Sequence, residues 1–178
     1  MAARLRVDAW VIDDTGFVKD GDASPCVARQ YSGTLGKVGN CQVAVSVHAA
    51  SDAASAPLDW RLYMPKRWDQ RCAEDPADAA AVVADRKRAA IPDSEHHRPK
   101  WQMALEMIDE LIEWGRTPAV ATADAGYGDT TAFRQGLTDP LRHRARTPTR
   151  TRSSDRHLPA MPPHLPHLTK YHWITGPN

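Results

Sequence analysis

The chain has 178 residues, of which 42% are hydrophobic, and a formal net charge of +1. These values fit one ordinary domain with a modest core. No apolar run approaches the roughly 18 residues of a membrane span, and the first residues lack the apolar core of a secretory signal. Cys26, Cys41 and Cys72 have no CxxC spacing and are predicted to be free thiols. We therefore expect a cytoplasmic protein without a membrane segment.

The first third of the chain has the pattern of a strand-rich region. Apolar runs predict strands at residues 7–12 and 27–31. Apolar and polar residues alternate over residues 41–48 and again over residues 58–64, which is the period of half-buried strands. Because short turns separate these strands, we expect them to pair in the antiparallel sense.

The middle of the chain, residues 66–117, is predicted to be helical. The clearest helix covers residues 100–114, where apolar side chains recur along one face at helical period. A second helix is expected over residues 77–90, which are rich in Ala, Arg and Lys. A strand at residues 119–123 and a short helix at residues 130–137 follow. Strands, helices and a later strand in this order indicate an α/β layered domain.

Two acidic positions follow predicted strands and are the candidate site. Asp13 and its neighbour Asp14 end the first apolar run, and Asp124 ends the strand predicted near residue 123. Acids from neighbouring strands can meet at one point, where carboxylate oxygens bind Mg²⁺ or Mn²⁺. Such sites catalyse phosphoryl transfer. The alternative is that these aspartates only cap turns at strand ends.

A glycine-rich segment lies between the second and third predicted strands. Its glycines lack the spacing of a nucleotide-binding loop, so a hairpin connection is the better interpretation. Arg29, just before this segment, and Lys37, within it, are candidate DNA contacts. The alternative is that both belong to an ordinary solvated face.

The motifs in residues 13–17, 28–42, 56–63 and 123–129 read DDTGF, ARQYSGTLGKVGNCQ, APLDWRLY and ADAGYGD. In this order they resemble the catalytic domain of bacterial DDE-type insertion-sequence transposases. The glycine-rich motif is the most specific of the four. The resemblance implies an RNase H-like fold, which is a mixed sheet with flanking helices. It also implies three metal-binding acids that cleave and transfer DNA strands.

Carried onto this chain, the resemblance assigns the first acid to Asp13, with Asp14 as its close competitor, and the second acid to Asp124. The metal ligands implied are therefore Asp13, Asp14 and Asp124, and the metal is Mg²⁺ or Mn²⁺. The third acid is expected in a downstream helix, and no residue after Asp129 fits it. Whether the chain is an enzyme is left open by that missing acid.

The composition changes abruptly near residue 138. From residue 140 onward the sequence contains seven basic residues and one acidic residue, and prolines are frequent. We therefore predict a partial RNase H-like catalytic domain at residues 7–138, incomplete at its C-terminus, and a disordered basic tail at residues 139–178. A shift of reading frame is our hypothesis for the change.

The function implied is that of a transposase fragment whose parent cleaves and transfers DNA at the ends of an insertion sequence. DNA is the expected partner, with a homodimer as a further option. The alternative is a DNA-binding or inhibitory remnant without catalysis, and a third option is a chain that does not fold stably. A third acid near the other two would favour the enzyme.

Overall fold

The molecule is built around one mixed β-sheet with helices packed against it. The structure is a computed structural model that describes residues 7–116, 120–145 and 171–174. The strands and helices are β1 (Ala9–Val18), β2 (Ala28–Ser32), β3 (Lys37–Ala50), β4 (Ser55–Leu62), α1 (Pro76–Arg88), α2 (Lys100–Glu113), β5 (Ala121–Asp124), α3 (Ala125–Gly128), α4 (Thr131–Ala145) and β6 (Tyr171–Ile174). Two short 3₁₀ turns, Lys66–Trp68 and Gln70–Cys72, lie between β4 and α1. None of the described helices is both long and apolar enough to cross a membrane.

The long strand β3 organises the antiparallel part of the sheet. One edge of β3 pairs with β1 over residues 41–50. Its other edge is shared by β2, which pairs with residues 37–41, and by β4, which pairs with residues 44–50. All three pairings are antiparallel, as the short connections between these strands predict.

The strand β5 adds a parallel pairing on the far side of β1. Trp10 lies opposite Ala121, and Ile12 lies opposite Ala123. β6 then pairs with β5 in the antiparallel sense. The strand order β2-β3-β1-β5-β6 makes a mixed sheet, which confirms the predicted α/β class. Because β1 and β5 run in the same direction, the end of β5 lies beside the middle of β1.

The main core lies between α2 and one face of the sheet. Trp10 and Ile12 are two residues apart on β1, and both are buried in this core. The buried residues of α2 recur at helical period: Met103, Ala104, Met107, Ile108, Leu111 and Ile112. Burying a side chain of this size contributes about 1.5–3 kcal/mol. The packing confirms the predicted helix and fixes its first turn relative to β1.

A smaller core lies between the start of β2 and the segment around α1. Its buried apolar members are Cys26, Val27, Met64 and Trp68. The indole of Trp68 donates to the carbonyl of Val27 at 2.7 Å. Asp75 caps α1 by accepting from two backbone N–H groups in its first turn. All three cysteines are free, which confirms that prediction.

Two described elements fall within residues 139–178, the predicted disordered basic tail, and the disorder of that tail stays a prediction. α4 continues to Ala145, and Tyr171–Ile174 pairs with β5 as β6. The predicted helix ends at residue 137, because the apolar period stops there and Pro140 follows. An interior proline costs a helix roughly 3 kcal/mol, which the remaining helical hydrogen bonds can offset. Residues 146–170 and 175–178, which hold most of the predicted tail, lie outside the described residues.

Candidate active site

A small cavity opens where β5 ends beside β1. Its volume is about 210 Å³, and it is lined by Asp14, Lys100, Trp101, Asp124, Gly126 and Tyr127. We call it the carboxylate cavity. Asp14 lies two residues beyond Ile12, the last residue of β1 that pairs with β5, and Asp124 is the last residue of β5. The parallel pairing of the two strands therefore brings two acids to one place from distant parts of the sequence.

Asp14 faces α2 because side chains alternate along a strand. Trp10 and Ile12 are buried under α2, so the next residue at this spacing points the same way. One carboxylate oxygen of Asp14 accepts from the Lys100 ammonium at 2.6 Å, and the other accepts from the Tyr127 hydroxyl. Asp14 and Lys100 are each about a third exposed. The carboxylate is thus paired but remains accessible to solvent.

Asp124 reaches the same cavity from the end of β5. Its Oδ1 accepts from the backbone N–H of Tyr127 at 3.2 Å, so it caps the short helix α3. The turn-capping interpretation of this aspartate therefore holds, and it does not exclude a second role. Capping fixes the side chain at the wall of the carboxylate cavity.

Asp13 lies on the opposite face of the sheet. Its neighbour across the strand pair is Ser46, and the two line a different cavity together with Thr15 and His48. Oδ1 of Asp13 accepts from the backbone N–H of Asp14 at 2.8 Å. The structure thus brings Asp14 and Asp124 together in the carboxylate cavity, whose lining does not include Asp13. The charge of Asp13 still contributes to the raised pKa of Tyr127. The assignment of Asp13 as the first acid stays a prediction.

Tyr127 is a structural donor in the carboxylate cavity. Burial raises the pKa of its hydroxyl, and the negative charge of Asp14 raises it further. The hydroxyl therefore keeps its proton and donates to Asp14. Its ring packs against Phe133, with a centroid distance of 5.5 Å. The sequence marked Tyr127 only as a neighbour in a motif.

Lys100 was missed by sequence reasoning, although a local signal existed. It is the first residue of α2, follows Pro99, and has no acidic residue in the first turn. The helix macrodipole disfavours a cation at this end. A lysine there therefore needs a partner from elsewhere in the fold. Asp14 is that partner, 86 positions earlier in the chain.

Arg29 and Lys37 lie on the β2–β3 hairpin. Arg29 pairs with Asn40 across the strands, and Lys37 pairs with Ser32. Both basic side chains are exposed, and neither lines the carboxylate cavity. Their role as DNA contacts stays a prediction.

The carboxylate cavity fits a divalent cation in part. Two carboxylates supply the oxygen ligands that Mg²⁺ and Mn²⁺ prefer. Among the described residues, however, no group of three or more His, Cys, Asp or Glu side chains could hold a metal ion. The ligand set in the described part of the chain therefore stops at two acids.

Comparison with known proteins decides the family. The model of the DDE superfamily endonuclease family matches residues 1–169. The chain belongs to this family. The resemblance found in the sequence is thus confirmed, and the family match extends past the boundary predicted at residue 138.

A curated relative of this DDE-family chain is the probable transposase for insertion sequence element IS701 of Microchaete diplosiphon. The two are 28% identical over 120 residues, which make up 67% of this chain and 26% of the relative. The chain thus spans about a quarter of the length of that transposase. No solved structure matches the chain significantly. DDE endonucleases generally use divalent metal ions, in keeping with the oxygen ligands of the carboxylate cavity.

Proposed function

We propose that this chain carries two acids of a metal-dependent DNA strand-cleavage site, and that these acids are Asp14 and Asp124. The observation that carries the proposal is their meeting in one cavity at the ends of parallel-paired segments. Asp14 is preferred to Asp13 because the Asp13 side chain lies on the other face of the sheet. Support by two hydrogen-bonded strands would hold both carboxylates in fixed positions.

In this proposal three residues of the cavity have defined tasks. Asp14 and Asp124 would hold Mg²⁺ or Mn²⁺. When bound, such a cation supplies electrostatic activation of the phosphodiester and of the attacking water. Tyr127 orients Asp14 through its hydroxyl, and it stays protonated because burial raises its pKa.

The partner in this proposal is DNA in the cytoplasm, at the ends of an insertion sequence. The proposal rests on the family and on the relative's printed name, since the chain covers only part of that relative. Arg29 and Lys37 would contact phosphates, so DNA binding is expected to weaken as the salt concentration rises. Participation of a second copy of the chain remains a prediction.

A second candidate function is a DNA-binding remnant without catalysis. The observation that favours it is that both oxygens of Asp14 are already engaged, by Lys100 and by Tyr127. The described residues also supply no third acid beside these two. Such a chain would keep the fold and some affinity for DNA but would not cleave it.

Titration with Mn²⁺ tests the metal site directly. Isothermal calorimetry of the whole chain is expected to show weak binding, because two carboxylates offset the dehydration of the cation poorly. Asp14→Asn and Asp124→Asn should each abolish the binding. Asp129→Asn is the matched control, since Asp129 is an exposed acid just beyond α3 and does not line the cavity.

Asp13→Asn decides between the two candidate first acids. We expect it to leave Mn²⁺ binding unchanged. Loss of binding in this variant, with normal binding in Asp14→Asn, would overturn the assignment. Nicking of supercoiled plasmid tests whether these two acids suffice for cleavage. We expect little nicking above that of an Asp14→Ala, Asp124→Ala double variant, and robust metal-dependent nicking would exclude the remnant.

A further inference from the structure

Lys100 occupies an electrostatically unfavourable position and is paired with an acid that is distant in sequence. It begins α2, where partial positive charge from the backbone N–H groups accumulates. Its ammonium contacts Asp14 at 2.6 Å and lies 5.1 Å from the centre of the Tyr63 ring. Asp14 and Lys100 both line the carboxylate cavity. The position of this lysine is therefore explained by the cavity and not by the helix.

The segment before α2 is fixed by partly buried hydrogen bonds. Arg86 donates to the carbonyls of Pro92 and Glu95, each at 2.7 Å. The backbone N–H of His97 donates to the buried carboxylate of Asp69 at 2.8 Å. The ring of His97 then donates to the Met64 carbonyl at 2.8 Å. These contacts hold the backbone that leads into Lys100.

A contact between two aromatic rings connects the hydrogen-bonded segment before α2 to Lys100. The ring of His97 meets the ring of Tyr63 edge to face, with a centroid distance of 5.8 Å. Tyr63 in turn lies against the ammonium of Lys100. The approach of Lys100 to Asp14 is thus defined by the surrounding fold.

The Lys100 ammonium contacts the same carboxylate that the proposed function assigns to a divalent cation. Two cations at one carboxylate repel each other. The Asp14–Lys100 pair is partly exposed, so water can replace either partner at little cost. The ammonium and a divalent cation are therefore competitors for Asp14.

We propose that Lys100 is an internal cation of this site, which occupies Asp14 until a divalent cation displaces it. The inference rests on the proposed function, because it needs Asp14 to be a metal ligand. Lys100 acts in it as a positioning residue that sets the metal affinity. It also keeps the carboxylate paired when the metal concentration is low.

Removal of Lys100 should strengthen metal binding, a gain that damage to the fold would not produce. Lys100→Met is expected to bind Mn²⁺ about fivefold more tightly than the unmodified chain, in keeping with the strength of a partly exposed ion pair. Lys100→Arg keeps the charge and should bind Mn²⁺ as the unmodified chain does. Lys87→Met removes an exposed lysine of α1 that does not line the carboxylate cavity, and it controls for the change in net charge.

Calorimetric titration of these four whole-length proteins and of Asp14→Asn with Mn²⁺ separates the outcomes. Equal affinities for Lys100→Met and the unmodified chain would overturn the inference and leave the metal site standing, provided that Asp14→Asn abolishes binding. A comparable gain in Lys87→Met would also overturn it, because net charge alone would then explain the effect. Absence of Mn²⁺ binding in every protein would overturn both this inference and the proposed function.

Discussion

Two ion-paired regions of this molecule differ in how fully their charges are satisfied. One is the carboxylate cavity, where Asp14 and Lys100 are each about a third exposed. The other is a group around the buried side chains of Asp69 and Arg86, with Arg71 and His97 as further members, and we call it the buried anchor. The Asp69 side chain is only 1% exposed and accepts from Arg71 and from the backbone of His97.

Arg86 shows the contrast most clearly. It is 3% exposed, and its guanidinium donates to the carbonyls of Trp68, Pro92 and Glu95. A buried charge with this many partners cannot exchange them without a large loss of folding free energy. Lys100 pairs with the Asp14 carboxylate and has access to water, so it can exchange this partner at little cost in free energy. The anchor therefore has the properties of a structural element, and the cavity has those of a site where ligands exchange.

The largest effect on stability is expected when the buried anchor loses its buried cation, Arg86. Arg86→Met would keep the volume of the aliphatic stem but leave three carbonyls without their donor. We expect a loss of about 3–5 kcal/mol in the free energy of unfolding. Urea denaturation followed by circular dichroism measures it.

The matched control is Arg88→Met on the same helix. Arg88 is 60% exposed and pairs with Asp85 at a spacing of three residues. Its removal should change the free energy of unfolding by less than about 0.5 kcal/mol. Similar losses in the two variants would show that the buried carbonyl contacts of Arg86 do not stabilise the fold.

The next effect concerns acid stability. Burial by itself raises the pKa of Asp69, but hydrogen bonds from the Arg71 side chain and from the backbone of Arg71 and His97 outweigh it, so the pKa lies well below the ordinary range. A lowered pKa contributes stability above the unfolded value of about 4 and loses it as the pH falls below that value. At pH 7 we expect Asp69→Asn to cost about 1–3 kcal/mol.

Urea denaturation between pH 7 and pH 2.5 tests the sign of this effect. The difference between Asp69→Asn and the unmodified chain should shrink as the pH falls, because the unmodified chain loses the contribution of its carboxylate. A difference that stays constant over this range would contradict the assignment of the lowered pKa to Asp69.

Much of this fold could be predicted because its signals are periodic. The apolar face of α2 and the alternation of β3 are local patterns, and both elements formed where they were expected. The parallel pairing of β1 and β5 is not local, but the acids that follow the first predicted strand and the strand predicted near residue 123 indicated it. The length of α4 was not predicted, because backbone hydrogen bonding continues beyond the apolar period.

The composition of the site was harder to predict, for two different reasons. The choice between Asp13 and Asp14 depends on which face of β1 is covered, and the spacing of Trp10 and Ile12 contained that information. Lys100 reaches Asp14 only through the fold, and no local pattern links residues so far apart in sequence. The unfavourable electrostatic energy of a lysine at a helix N-terminus was the one indication that Lys100 has a distant partner.

A smaller effect is expected from the hydroxyl of Tyr127. Tyr127→Phe removes the donor to Asp14 but keeps the ring that packs on Phe133, so the loss at pH 7 should be about 1 kcal/mol. Burial and the charge of Asp14 raise the pKa of Tyr127. Its contribution is therefore present below the unfolded value of about 10 and is lost above it.

Denaturation at alkaline pH checks this assignment. The unmodified chain should lose stability more steeply above pH 10 than Tyr127→Phe, which has no hydroxyl to ionise. Equal slopes would mean that Tyr127 does not hold its proton more tightly in the folded state.

The smallest effect is expected from the pair that is proposed to exchange. A double-mutant cycle of Asp14→Asn and Lys100→Met, measured by urea denaturation without metal, should give a coupling of less than about 1 kcal/mol, because both side chains are partly exposed. A divalent cation could displace an ammonium held this weakly. A coupling of about 3 kcal/mol or more would place the pair with the buried anchor. Lys100 would then be a permanent structural partner of Asp14, and the contrast between the two regions would no longer hold.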